Sequence, residues 1–174
     1  KHRGIKGLVL DLRNNPGGIL PEAIAIAGSF VNTDEIVTYT LNKDGDRKDY
    51  RAEHSDDGVF IKDMPIIILT NSGSASASEV LSGALRDLGI AKTLGEKTFG
   101  KGIVQTVMGI GTSGVLTVTT DRYYTPKGVC IHGVGIEPDY SVEMSDEKTA
   151  RLTTLDESED DQLKEAIKIL KENK

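Results

Sequence analysis

The sequence predicts an α/β layered fold, and three observations carry that reading. Two short, nearly continuous apolar runs, residues 7–13 and 66–70, each end in small turn-forming residues. Each is then followed by apolar residues at helical spacing. Strand, glycine- or serine-rich loop and helix, repeated in that order, point to helices laid on a sheet rather than to a sandwich. At 174 residues the chain has the length of one domain, and residues 1–174 are read as a single one.

The elements follow in order. Residues 7–13 (Gly-Leu-Val-Leu-Asp-Leu-Arg) read as a buried strand, stopped by the turn chemistry of Asn14-Asn15-Pro16-Gly17-Gly18. Pro21 suits a first helical turn, and Ala23, Ile24, Ala27 and Phe30 recur at helix spacing, which predicts a helix over residues 21–31. Residues 35–41 fit a strand. Residues 42–58 carry five aspartates and a glutamate with little to bury, and read as an exposed loop or hairpin end. Residues 66–70 (Ile-Ile-Ile-Leu-Thr) form a second buried strand. Val80, Leu81, Ala84, Leu85 and Leu88 then make a helical stripe over about residues 77–88, ending near Gly89. Residues 103–110 and 115–120 flank Gly111-Thr112-Ser113-Gly114 as a hairpin, and residues 122–124 and 129–131 flank a Thr-Pro-Lys-Gly turn. An amphipathic helix over residues 160–171 closes the chain.

Composition narrows the function classes. A formal charge of −6, with acids gathered in the last third (Glu143, Asp146, Glu147, Asp156, Glu157, Glu159, Asp160, Asp161), argues against nucleic acid as a partner. No apolar stretch approaches the roughly 20 residues needed to cross a bilayer. The single cysteine, Cys130, gives neither an internal disulfide nor a Cys-rich zinc site and reads as a small core residue. The chain starts at Lys1 with a strand only a few residues on and no signal-peptide pattern, so it reads as a piece of a longer protein.

The chemistry centres on Asn71-Ser72-Gly73-Ser74-Ala75-Ser76-Ala77-Ser78-Glu79, where a strand gives way to a helix. A serine hydroxyl becomes a useful nucleophile only with a base in reach and donors for the oxyanion formed on attack. The helix start supplies unpaired N–H groups and a positive dipole end, and the glycines at Gly17 and Gly18 permit a second close backbone approach. Ala77 and the Gly17/Gly18 turn are therefore the oxyanion candidates. The plain alternative is a helix cap, with Ser76 and Glu79 as the two halves of a capping box. Several serines at one helix start exceed what capping requires, and the alanines between them keep the surface open.

His2, His54 and His132 lie in a terminus, an acidic loop and a glycine-rich turn, and read as surface or structural residues; their scatter gives no metal-ligand spacing. No cofactor is indicated. Lysine can act as the base when burial disfavours its charged form. Lys101, between Gly100 and Gly102 with Phe99, Ile103 and Val104 as an apolar shell, is the candidate, and Gln105 stands four residues on to hold the amine. Residues 95–101 also match most of the phosphate-binding pattern G-x-x-x-x-G-K-[ST]. That reading fails at Gly102, which lacks the magnesium-binding hydroxyl, and a hairpin rather than a helix follows.

Together these blocks resemble the carboxy-terminal processing (tail-specific) serine peptidases, built on a crotonase-like and Clp-peptidase-like ββα spiral core. The resemblance covers nearly the whole chain through Leu10-Asp11-Leu12-Arg13-Asn14-Asn15-Pro16-Gly17-Gly18, residues 73–79, residues 98–105, and Arg122-Tyr123-Tyr124-Thr125-Pro126 with residues 133–139. It implies Ser76 as nucleophile, because the family separation of 25 residues from serine to lysine is met by Ser76 and Lys101 and not by Ser74 or Ser78. It implies Lys101 as general base, Gln105 as its orienting partner, and Ala77 with Gly17 or Gly18 as oxyanion donors. It also implies an endopeptidase that cleaves proteins near their C-termini through an acyl-enzyme. Substrates would be bound through extended C-terminal segments in an extracytoplasmic setting: periplasm, cell envelope or organelle lumen. A homo-oligomer is left open. Family members carry a PDZ domain ahead of this region, which these residues do not contain.

Two other readings stand beside the peptidase. One is a dormant core acting as a binding or scaffolding module without its partner domains. The other is an acyl-CoA enzyme, since that class shares the core and fold does not fix function.

Overall fold

The computed structural model describes residues 4–53, 61, 64–111 and 114–172. His2, His54, the end of the acidic stretch (residues 54–58) and Thr112-Ser113 of the hairpin turn lie outside the described residues. Two four-stranded sheets build the fold. The first holds β1 (Leu8–Asp11), β4 (Ile66–Thr70), β5 (Ala91–Gly95) and β8 (Tyr140–Ser141), all parallel, in the order β1-β4-β5-β8. The second holds β2 (Ile36–Asn42), β3 (Arg47–Arg51), β6 (Ile103–Ile110) and β7 (Gly114–Tyr124), all antiparallel, in the order β3-β2-β7-β6. The helices are α1 (Leu20–Gly28), α2 (Ala77–Asp87), α3 (Asp146–Ala150) and α4 (Asp161–Glu172).

The near-continuous apolar run of β4 has a direct explanation: every residue of it is buried, and alternate side chains serve two different cores. Ile66 and Ile68 join Ala23 and Ala27 of α1 and Val80, Leu81, Ala84 and Leu85 of α2. Ile67 and Leu69 join Leu94 of β5 with Ala166 and Ile169 of α4. The parallel sheet is thus covered on both faces, and this mixed α/β arrangement is the predicted fold class.

Most predicted elements are present with trimmed ends. The first strand is Leu8–Asp11, the first helix stops at Gly28 rather than residue 31, and the second helix has Leu88 as its C-cap before Gly89 at φ +74°. The acidic stretch is a hairpin end, as expected, but its return arm β3 is a true strand despite its polar sequence, Arg-Lys-Asp-Tyr-Arg. β7 runs unbroken to Tyr124. The strand expected over residues 129–131 is absent among the described residues: only Cys130 bridges to Tyr124, because the 125–128 turn returns the chain to a point where Ile131 N–H bonds Tyr123 O and then leaves the sheet. β5, β8 and α3 were not predicted from sequence.

Candidate active site

Three adjacent strands of the parallel sheet deliver the three predicted blocks. In the order β1-β4-β5, the C-terminal end of β1 leads to the Gly17/Gly18 turn, that of β4 to the serine run, and that of β5 to the Lys101 loop. Loops at the carboxyl ends of neighbouring parallel strands share one edge of the sheet, where such folds build their sites. The serine loop is in the middle, so it can touch both others.

It does touch both. On the glycine side, Ser74 hydroxyl donates to Leu12 O (2.7 Å), Ala75 N–H donates to Asn15 O (3.0 Å), and Asn14 and Asn71 bond reciprocally. Ser74 is fully buried by this work and Ser78 is buried within α2, so neither is presented to a substrate; Ser72 is exposed on the turn. On the lysine side, Phe99 N–H donates to Ser74 O at 2.9 Å.

Ser76 stands at the start of α2 with φ +56° and ψ −118°, a backbone conformation that a non-glycine residue adopts at a cost of order 1–3 kcal/mol. The expected capping box is present, with the Ser76 side chain against the backbone of Glu79 and Ser76 N–H donating to Glu79 Oε2 at 2.9 Å.

The Ala77 N–H is the first of the helix and has no intrahelical partner. Gly17 lies hard against it. A Cβ built on Gly17, whose φ is +90°, would meet Ala75 O at 2.5 Å and Ala77 N at 2.7 Å, so this contact excludes every other residue type. Gly17 N–H donates to Asn15 Oδ1 at 3.0 Å, whereas Gly18 N–H has no acceptor among the described residues. Beside these groups a pocket of about 140 Å³ is lined by Leu12, Ile19, Ala23, Ile26 and Leu81.

Glu79, read from sequence only as a cap, is the hub of the site. Its side chain is fully buried and accepts four hydrogen bonds. Oε2 takes Ser76 N–H and Lys101 N–H (2.8 Å), while Oε1 takes Gly100 N–H (2.7 Å) and the Thr98 hydroxyl (2.5 Å). The Thr98 hydroxyl in turn accepts Ile136 N–H. A capping-box glutamate followed by a threonine and glycines was the available signal, and its local explanation hid the longer reach.

The structure brings the Lys101 backbone to the serine loop but leaves its side chain exposed. Phe99, expected to shield it, is 68% exposed, and among the described residues no hydrogen bond joins the Lys101 amine to the Ser76 hydroxyl or to Gln105. Gln105 sits exposed on β6 opposite Thr119. Gly102 is buried where a Cβ would strike His132 N at 2.5 Å, and His132 itself is exposed. A strand follows Lys101, in accord with the rejection of a phosphate loop. Among the described residues no cluster of side chains could hold a metal ion.

A strained serine at a strand-to-helix turn, with backbone N–H groups beside it and a lysine loop bonded alongside, sits on a mixed α/β core. The chain belongs to peptidase family S41, whose family model matches residues 1–142. It is 48% identical over 139 residues to a carboxy-terminal-processing protease of Bartonella bacilliformis, covering 80% of this chain and 31% of that protein. Among solved structures it is similar to a photosystem II D1 C-terminal processing protease, with 39% identity, a TM-score of 0.75, and coverage of 81% of this chain and 36% of that one. A lipoprotein from Streptococcus agalactiae shares the fold over 98% of this chain and 56% of its own, at 23% identity and a TM-score of 0.74. The chain thus spans about a third of the length of the two peptidases it matches.

Proposed function

We propose that these residues form the core of a serine endopeptidase working through a Ser76–Lys101 dyad. The observation that carries the reading is the convergence of the glycine turn, the serine turn and the lysine loop at the ends of three neighbouring strands. Lys101 Nζ, as the free amine, takes the proton from Ser76 Oγ as the oxygen attacks the scissile carbonyl. The carbonyl electron pair moves onto the oxygen, which Ala77 N–H and the glycine turn stabilise. Gly18 N–H, having no other acceptor, suits this role, while Gly17 supplies the close approach. Collapse expels the amine, which takes the proton back from Lys101 and leaves an acyl ester on Ser76. Water, activated by the same lysine, then hydrolyses that ester.

A lysine used as a base needs desolvation. The exposed Lys101 therefore relies on an extended polypeptide laid over Phe99 and Lys101 to cover it and bring Gln105 to its amine. Ser76→Ala and Lys101→Ala are each expected to abolish hydrolysis of a substrate with an unstructured C-terminus while leaving the fold intact. Normal turnover by either variant would remove the assignment.

The exposure of Lys101 favours one second reading, a dormant core serving as a binding module until further domains align it. A serine-directed fluorophosphonate separates the two. Labelling of Ser76 in this chain supports the enzyme; labelling only in a longer form supports the dormant core.

A further inference from the structure

We propose that Arg13 and Asp160 are a positioning pair through which α4 holds the glycine turn against the nucleophile loop, so that breaking the pair slows acyl transfer. The inference rests on the peptidase reading above. Arg13 lies between Leu12 and Asn14, and each of these neighbours is hydrogen-bonded to the serine loop. Its own side chain goes elsewhere. The guanidinium is only 4% exposed, and all five of its N–H groups are used. Nε and one Nη2 donor bond the Asp11 carboxylate. The remaining donors bond Asp160 in bidentate fashion, at 3.0 and 2.7 Å, and Gln162 Oε1 at 3.1 Å.

Asp160 is itself fixed, since its Oδ1 also accepts Leu163 N–H in the first turn of α4, and buried Gln162 donates to Val142 O at 2.7 Å. A bidentate guanidinium–carboxylate pair defines both distance and plane. The residue between the two anchored backbone groups of the glycine turn is therefore clamped from the helix on the opposite face of the sheet. Its partners, Asp160 and Gln162, lie beyond the residues 1–142 that the family model matches. The geometry makes the C-terminal helix a working part of the site without touching the substrate. Because misplacing a reacting group by about 1 Å can cost on the order of a hundredfold in rate, a loosened turn will register as lost turnover.

The test measures fluorophosphonate labelling of Ser76, and kcat and KM on an unstructured peptide, at a temperature where circular dichroism shows each variant folded. Asp160→Ala is expected to lower labelling rate and kcat by at least about tenfold with KM within about twofold. Ile169→Ala loosens α4 through its apolar face alone and, at an equal loss of thermal midpoint, is expected to keep the parent labelling rate within about twofold. Equal losses in both variants, or a folded Asp160→Ala that labels like the parent, would overturn the proposal. Should Asp160→Ala fail to fold, Gln162→Leu removes one Arg13 acceptor, together with the bond to Val142 O, and keeps the ion pair; slower labelling supports the clamp and unchanged labelling overturns it. A parent that labels neither in this chain nor in a longer form removes the peptidase reading and the clamp together, whereas a labelling parent with unaffected variants removes the clamp alone.

Discussion

Ser76 and Lys101 are joined through a single atom, since the backbone N–H of each donates to Glu79 Oε2, at 2.9 and 2.8 Å. Their nitrogens can therefore be no farther apart than the sum of those two lengths. The separation of the two backbones is thus set by a buried carboxylate and not by the Ser76 and Lys101 side chains. Glu79→Ala would leave three backbone N–H groups and the Thr98 hydroxyl without their acceptor in a buried site, at about 1–3 kcal/mol for each group left unsatisfied. We expect a loss of about 3 kcal/mol or more in denaturant unfolding, together with loss of labelling at Ser76. Glu79→Gln keeps one acceptor oxygen but turns an N–H₂ toward donors, and should be intermediate on both measures.

The two glycines of the proposed oxyanion turn should respond differently to the same change. Gly17→Ala drives a Cβ into Ala75 O and Ala77 N at a φ of +90°, where only backbone movement can relieve it. We expect at least about a tenfold fall in labelling rate, on the scale of one misplaced oxyanion donor. At Gly18 nothing lies within 4 Å of a built Cβ and alanine retains the N–H, so Gly18→Ala should label within a few-fold of the parent. Equal effects at both positions would refute this division of roles.

Acid should unfold the protein through two paired carboxylates. Burial pushes the Asp160 carboxyl up, but Arg13 outweighs it and holds the group below the usual range. At Asp139 burial is likewise outweighed, by Thr93 N–H and then Arg86. A carboxyl that binds its proton less readily folded than unfolded stabilises the protein fully above the unfolded value of about 3.9, and that contribution disappears as pH falls through the lowered folded value. Denaturant midpoints should therefore drop below about pH 4, and Asp160→Asn should lower stability at neutral pH while flattening that acid limb. Asp161 is held down to about 2, first by Lys148 and then by Lys164, but it is exposed, so its share should vanish in about 1 M salt while that of Asp160 persists.

What could be read from sequence was whatever local pattern expresses. The buried run of β4, the helical stripe of α2 and the serine run between them are contiguous, so Ser76 and Ala77 fell at a strand-to-helix turn as expected. β5 was not legible, because Ala-Lys-Thr-Leu-Gly offers neither alternation nor a continuous apolar run, yet it is the strand that carries Lys101 to the site. Arg13 and Asp160 are 147 residues apart, and no spacing rule reaches that far. Lys101 was expected to sit in an apolar shell because Phe99 is near in sequence; the Phe99 side chain is instead 68% exposed, and nearness in sequence does not fix which way a side chain points.

The pocket beside the proposed oxyanion donors should set which side chain precedes the cleaved bond. It measures about 140 Å³, has Leu12, Ile19, Ala23, Ile26 and Leu81 as its apolar lining with Glu22 the one charged residue among them, and includes Ala77, where the proposed acyl carbonyl of a substrate would sit. Such a lining rewards an apolar side chain of modest size, and an extra or missing methylene in it is worth about 1–3 kcal/mol of discrimination. We expect cleavage after Ala, Val or Leu in a peptide series to exceed cleavage after Asp, Lys or Trp. Ile26 is partly exposed at the rim, so Ile26→Phe can narrow the pocket without straining the core. In that variant kcat/KM after Leu should fall by about tenfold relative to cleavage after Ala, while the labelling rate with a small fluorophosphonate stays near that of the parent. An unchanged Leu-to-Ala ratio would show that the side chain is read elsewhere, and a fall in labelling would place Ile26 in support of the donors instead.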